Sequence, residues 1–187
     1  MIPPTTTRDV AVIETARLRL RPIRPDDAEA LHVPLSDPAT MHYWSSPAQT
    51  SLAETRAYLA RSDDSPGWRW WIITLKPQDR ALGWVSAGAK RQGGVSEIGY
   101  ILSAEARGQG IAREAVSAVI ERLFAEGDRR VFADTDPDNA ASNALLERLG
   151  FVLEGRLRGE WHTHLGVRDS LIWGLLREDW LREYGEE

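Results

Sequence analysis

Residues 16–23 alternate, with Leu18 and Leu20 on one side and Arg17, Arg19 and Arg21 on the other. That two-residue period predicts a half-buried strand with a solvated arginine face. Arg24-Pro25-Asp26-Asp27 then gives the Pro and Asp start signal of a helix through Ala28, Ala30 and Leu31. A second helix follows Ser51, with Leu52, Ala57, Tyr58 and Leu59, and stops before Asp63-Asp64-Ser65-Pro66-Gly67. Strands are predicted over 70–75, 82–87 and 95–102, and their short, turn-rich links make them an antiparallel meander. From Gly108 the period becomes helical, as Ile111, Ala115, Val119, Ile120 and Leu123 recur until Gly127 caps the run. A short strand over 131–133, a helix over 138–149 ending on Gly150, and two strands near 151–163 and 167–176 complete the chain. No repeat, low-complexity tract or linker divides it. The expectation is a flexible tail over 1–13 and one domain over 14–187.

Composition narrows the chemistry. A chain of 187 residues suits one core, burying roughly 70% of the surface an unfolded chain exposes. With 23 basic residues against 28 acidic, the net charge is −5. This speaks against nucleic acid, whose phosphates need clustered Lys and Arg, and it hints at a cationic substrate. The absence of cysteine excludes disulfide scaffolds, thiolate metal sites and cysteine nucleophiles. The first dozen residues carry no signal-peptide pattern, and no run of about 18 apolar residues suggests a membrane span, so a soluble cytoplasmic protein is expected. Eight tryptophans outnumber the three Phe and four Tyr together.

The most informative stretch runs from Tyr100 to Ala115, where a strand enters the turn Arg107-Gly108-Gln109-Gly110 and opens onto the long helix. Such a turn presents unpaired N–H groups at the positive end of a helix dipole, and its glycines let an anion approach. It reads as a phosphate or pyrophosphate cradle, with the Arg107 guanidinium beside it. The Gly-Lys-Ser/Thr of a Walker loop is absent. A dinucleotide fingerprint would need a small residue where Arg113 stands, although Asp134 sits where a ribose-binding acid could, so a dinucleotide-binding enzyme stays as an alternative. A bare glycine-started helix is the bland reading.

Residues 107–112 resemble the Arg/Gln-x-x-Gly-x-Gly/Ala motif of the GNAT acyl-CoA N-acyltransferases. The stretch 139–151, Asn139-x-x-Ser142-Asn143 running to Gly150-Phe151, is similar to that family's second motif. Further features resemble its RimJ/RimL branch: the 16–21 strand, Glu97-Ile98-Gly99-Tyr100, Leu153-Glu154-Gly155 and Arg168-Asp169-Ser170. The resemblance spans about 14–180 and implies an α/β fold in one domain, a mixed, mostly antiparallel central sheet flanked by helices. It implies acetyl-CoA as co-substrate, with Ile101 and Leu102 pairing through their backbone with pantetheine. Arg107, Gly108, Gln109, Gly110, Ile111 and Ala112 would hold the pyrophosphate, and Asn139 and Asn143 would contact the cofactor arm.

The implied activity is direct acetyl transfer to a primary amine, a protein N-terminal α-amine or a small molecule, in a ternary complex. It needs an unprotonated nucleophile, donors for an oxyanion and a fate for the thiolate. Glu97 and Glu160 are candidate bases, with His162 as fallback. Many relatives place a tyrosine seven residues after the helix asparagine; here that position is Leu146, and Ser142 is the branch's substitute for protonating the thiolate. On strand parity Glu160, His162 and His164 could also converge on a divalent metal, but two-residue spacing is common by chance, no metal is expected, and polar lining of an acceptor cleft, with His162 binding substrate, is the better reading. Most tryptophans read as core, while Trp44 and Trp68 fall in loops and could grip an acceptor by stacking or cation–π contact. A catalytically idle acyl-CoA-binding module is the other alternative. A homodimer is left open, and the acceptor is not identified.

Overall fold

The computed structural model describes residues 10–63, 66–90 and 93–185. β1 (Ile13–Glu14) and β2 (Leu18–Arg21) lead to the helices α1 (Asp27–Ser36), α2 (Pro38–Met41) and α3 (Leu52–Asp63). The meander follows as β3 (Trp68–Leu75), β4 (Ala81–Ala89) and β5 (Val95–Leu102). Then come α4 (Ile111–Ala125), β6 (Arg130–Thr135), α5 (Ala140–Arg148), β7 (Val152–Thr163), β8 (Gly166–Leu176) and α6 (Arg177–Tyr184). All eight strands join one sheet in the order β1-β2-β3-β4-β5-β6-β8-β7. Among the described residues β5 and β6 are its one parallel pair, because α4 carries the chain back across the sheet between them. No helix among the described residues is long and apolar enough to cross a membrane.

Both faces of the sheet are covered. Ile111, Ala115, Val119 and Leu123 put the apolar stripe of α4 against Leu18, Leu20, Val85 and Ile98, and Trp180 of α6 packs beside Phe124. The opposite face holds Leu31 and Leu35 of α1 and Leu59 of α3 against Ile72, Trp84 and Ile101. Each such side chain taken fully out of water contributes about 1.5–3 kcal/mol.

That double cover corrects the expected solvated arginine face. Arg21 is only 2% exposed. Its guanidinium donates to Asp27 Oδ1 and Oδ2 at 2.7 and 2.9 Å and to Asp79 Oδ1 at 2.8 Å, and these carboxylates, Asp27 foremost, raise its pKa. Removing one partner of a buried pair strands the other charge in a dry site. Arg21→Met, which orphans the buried Asp27, is therefore expected to cost about 3–5 kcal/mol. The check is the urea midpoint, and an unshifted midpoint would mean the pair is dispensable.

Three elements exceed the sequence expectation. β1 is only two residues long, and α2 is a four-residue turn begun by Asp37, whose carboxylate accepts from the Ala39 and Thr40 amides at 3.2 and 3.1 Å. α6 is strongly polar, and Trp180 is its buried residue. The expected 1–13 tail lies outside the described residues over 1–9. Its remainder is tied down: Val10 packs on the core, Ala11 accepts from the Trp71 indole at 3.1 Å, and Ile13 pairs with Leu20.

Candidate active site

β5 and β6 share register only over Val95–Glu97 and Arg130–Phe132, yet β5 runs on to Leu102 and β6 to Thr135. The strands part, and a cleft of about 1070 Å³ opens at the gap. The direction of the β5 backbone follows from two bonds, Lys90 N to Val95 O and Ser103 N to Leu82 O, both 2.8 Å. In the unbroken β4–β5 register these turn the odd-numbered residues toward β4 and leave Tyr100 and Leu102 facing the gap. Ile101, expected to pair with pantetheine through its backbone, is instead bonded toward β4 and lines the cleft by its side chain. The Leu102 carbonyl accepts from Arg107 Nε and Nη2 at 3.1 and 3.0 Å.

The glycine turn sits at one end of this gap. Gly108 and Gly110 have φ of +72° and +75°, the left-handed region that favours glycine. A Cβ at Gly108 would meet nothing within 4 Å, so the backbone angle and not crowding makes the demand. Within α4 the first donor is the Glu114 amide, to the Gly110 carbonyl at 3.1 Å, while the amides of Gly108 through Arg113 find no acceptor among the described residues. Six consecutive donors at a helix N-terminus make an anion cradle.

Side chains hold the turn in shape. Glu114 accepts from Thr15, from the Arg17 amide and from Arg17 Nε at 2.7 Å, while Arg17 Nη1 donates to the Gln109 carbonyl at 3.0 Å. Gln109 uses its own amide on the Glu105 carbonyl at 2.8 Å, making it a strut of the loop. Arg107, expected as a charged fork beside the phosphates, is a strap: besides Leu102 it donates to Thr40 Oγ1 at 2.7 Å. Arg113 and Arg148, beside the turn and on α5, line the cleft without an ion pair among the described residues and are free to meet an anion there. Sequence reasoning missed them as ligands because an exposed helical arginine looks like any solvated one.

Across the gap, Asn139 caps α5 by accepting from the Ser142 amide at 3.2 Å. This first turn brings Ser142 Oγ to 2.6 Å from the Tyr100 hydroxyl, and both residues line the cleft. Burial pushes the Tyr100 phenol up to about 12, so it is a protonated donor at neutral pH. Tyr100 was not singled out, although its parity with Ile98 and Leu102 places it on the face beneath α4 and α5. Asn143 is fully used elsewhere. It accepts from Thr135 at 2.6 Å and donates to the Asp136 and Pro137 carbonyls, bracing the β6–α5 loop.

Trp44 and Trp68 both line the cleft, as does Glu97. Lys90 Nζ lies 3.0 Å from Glu97 and 5.0 Å from the centroid of the Trp68 ring. That ring packs on Gly88, where a Cβ would come within 2.4 Å of it, so only glycine fits beneath it. On β7 the cleft-facing residues are Trp161 and Thr163; Glu160 and His162 are exposed and out of phase with them. A register shift between Leu157 and Trp161, with Gly159 at φ +63°, sets that phase. His164 falls in the hairpin turn, and among the described residues no three His, Asp or Glu gather around a metal position.

A sheet parted beside a row of helix-terminal amides, with a hydroxyl pair at the fork, defines an enzyme class, the CoA-dependent acyltransferases. The acetyltransferase (GNAT) domain family matches residues 17–152, and the chain belongs to that family. It is 29% identical over 173 residues to the uncharacterized N-acetyltransferase YoaA of Bacillus subtilis, covering 89% of this chain and 97% of that one. A crystal structure assigned to the GNAT acetyltransferases of Chromobacterium violaceum superposes with a TM-score of 0.86 at 25% identity, over 95% and 91% of the two chains. RimL, a ribosomal L7/L12 alpha-N-protein acetyltransferase solved with coenzyme A, gives a TM-score of 0.77 at 25% identity over 89% and 98%. The protein is thus an acetyl-CoA-dependent N-acetyltransferase by family, and the dinucleotide alternative falls away.

Proposed function

We propose that the protein moves the acetyl group of acetyl-CoA directly onto a primary amine, a protein N-terminal α-amine or that of a small molecule, within a ternary complex. The observation that carries this reading is the fork itself, where the β5 backbone at Tyr100 and the Tyr100–Ser142 hydroxyl pair face one gap. The cradle amides and Arg113 would take the pyrophosphate, the nearby backbone the pantetheine arm. The nitrogen lone pair then bonds to the carbonyl carbon, and the C–S bond breaks with its electrons on sulfur. Nitrogen sheds one proton and sulfur gains one, so the products are an acetamide and CoA thiol.

A thiol with a reference pKa of about 8.5 leaves without a strong acid. A phenol at about 12 is a poor proton source for such a thiolate but a firm hydrogen-bond donor, so Ser142, held by Tyr100, stabilises the sulfur as charge builds. An α-amine, near 7.7–8.0, asks for only weak base assistance, which Glu97 can relay through water, and the likeness to RimL favours an acceptor of that kind. Thiol release on mixing with acetyl-CoA and a panel of amines and N-terminal peptides tests the reading. Acetyl-CoA bound tightly with no thiol released by any amine would return the chain to an idle acyl-CoA-binding module.

A further inference from the structure

The acceptor side of the cleft is one continuous aromatic wall. Fully buried Trp84 lies 5.3 Å from Trp70 and 6.1 Å from both Tyr58 and Trp44, centroid to centroid, and Tyr58 meets Trp70 edge-on at 6.3 Å. Trp44, Tyr58 and Trp70 form its cleft-facing surface. The indole N–H groups of Trp70 and Trp84 are shielded from solvent and bond to nothing among the described residues. Both donors are enclosed within the wall, so what the cleft meets there is apolar ring surface.

Charge tells the same story from the other side. Four acidic residues line the cleft, and each is occupied: Glu97 by Lys90, Asp136 by Arg168, Asp169 by Arg156 and the Gly159 amide, Asp134 by Ser170 and the Trp161 indole. The lining cations without an ion pair among the described residues are Arg61, Arg107, Arg113 and Arg148, and Arg113 and Arg148 would meet the cofactor's phosphates. With every lining carboxylate already engaged, the cleft offers no free counter-charge to a second ammonium, whatever the net charge of the whole chain. A dry aromatic surface also favours the neutral, nucleophilic form of an amine by desolvating its ammonium, and ring faces still tolerate a single positive charge.

We propose that the acceptor is a monoamine bearing a bulky apolar or aromatic group beside the amine, seated on Trp44, Tyr58 and Trp70. This inference rests on the acetyl-transfer reading and narrows its substrate. The group is either the first side chain of a peptide or the body of a free arylalkylamine, and the two are separated by experiment.

The full-length protein is assayed for thiol release, and acceptor binding is followed by calorimetry with a CoA-loaded sample. One arm uses pentapeptides starting with Trp, Phe or Leu against the same peptides starting with Ser, Ala or Glu. The other compares tryptamine and phenethylamine with putrescine, spermidine and kanamycin. At least one aromatic or Leu-type acceptor is expected to exceed every polar or polycationic one in its arm by tenfold or more in kcat/KM. Trp70→Leu and Trp44→Ala, each of which removes a ring from the wall, should each lower that preference at least threefold with the KM for acetyl-CoA unchanged. Equal rates across first residues, a preference for spermidine, or variants with undiminished preference would overturn the inference while leaving acetyl transfer standing. Loss of acetyl-CoA binding in the wild-type protein would instead remove the transferase reading beneath it.

Discussion

Gly110→Val is expected to raise the KM for acetyl-CoA by two orders of magnitude or more. At φ +75° an L-residue pays roughly 1–2 kcal/mol, and a β-branched one more, so the turn escapes by rotating out of the left-handed region. Rotation there swings the amides on either side of residue 110 away from the cleft. A hydrogen bond to a charged group contributes about 1.5–3 kcal/mol, so losing two of them removes about 3–6 kcal/mol of cofactor binding. At 1.4 kcal/mol per decade, that is a hundredfold to ten-thousandfold. Because most of the buried stripe of α4, Ala115 through Phe124, lies one turn or more beyond residue 110, the thermal midpoint should fall far less than affinity does. Titration of the variant with acetyl-CoA decides the matter, and an unchanged KM would mean that the pyrophosphate lies elsewhere.

Ser142→Ala is expected to lower kcat about a hundredfold, with the KM for acetyl-CoA shifting less than threefold, since it removes a donor that matters only as sulfur becomes charged. Tyr100→Phe should act in the same direction but less, about tenfold, because the serine hydroxyl remains and loses only its orientation. The double variant should be no slower than Ser142→Ala alone, the non-additivity of two groups acting as one. Tyr100 also fixes a pH limit. Its phenol is raised from an ordinary value of 10 to about 12, so its contribution to stability is complete below pH 10 and is lost as pH climbs through 12. The wild-type kcat profile should therefore show no descending limb from this tyrosine below pH 10. If Ser142→Ala and Tyr100→Phe both turn over at the wild-type rate, the hydroxyl pair is structural.

Much of this architecture was legible along the chain, and particular residues explain where legibility stops. The α4 stripe and the 95–102 strand follow from local period alone, and Gly108 and Gly110 announced a turn by composition. Arg21 was misread because alternation reports two faces of a strand without saying that a second layer of helices will cover the polar one. The Ile101 backbone turns toward β4 and that of Tyr100 toward the gap because the direction of a backbone amide depends on the register with β4, fixed only by partners such as Leu82 and Lys90. On β7 the pairing that sets the phase of Glu160 and His162 passes through an irregularity around Gly159, where three residues stand opposite Asp169 alone, and local alternation does not report it. The pattern around Arg107 identifies a charge by the turn, whereas its bond to Thr40 depends on α2, a four-residue helix too short to leave a periodic trace.

The tryptophans, conspicuous first as an excess, divide into two optical populations. Trp71, Trp84, Trp173 and Trp180 are buried in the sheet and its helix packing. Trp44, Trp68, Trp70 and Trp161 ring the cleft. Half of the eight indoles therefore stand at the cleft wall, and the protein carries its own fluorimeter there. An acceptor that docks against those indoles changes their emission without a label, at concentrations below those calorimetry needs and before any bond is made.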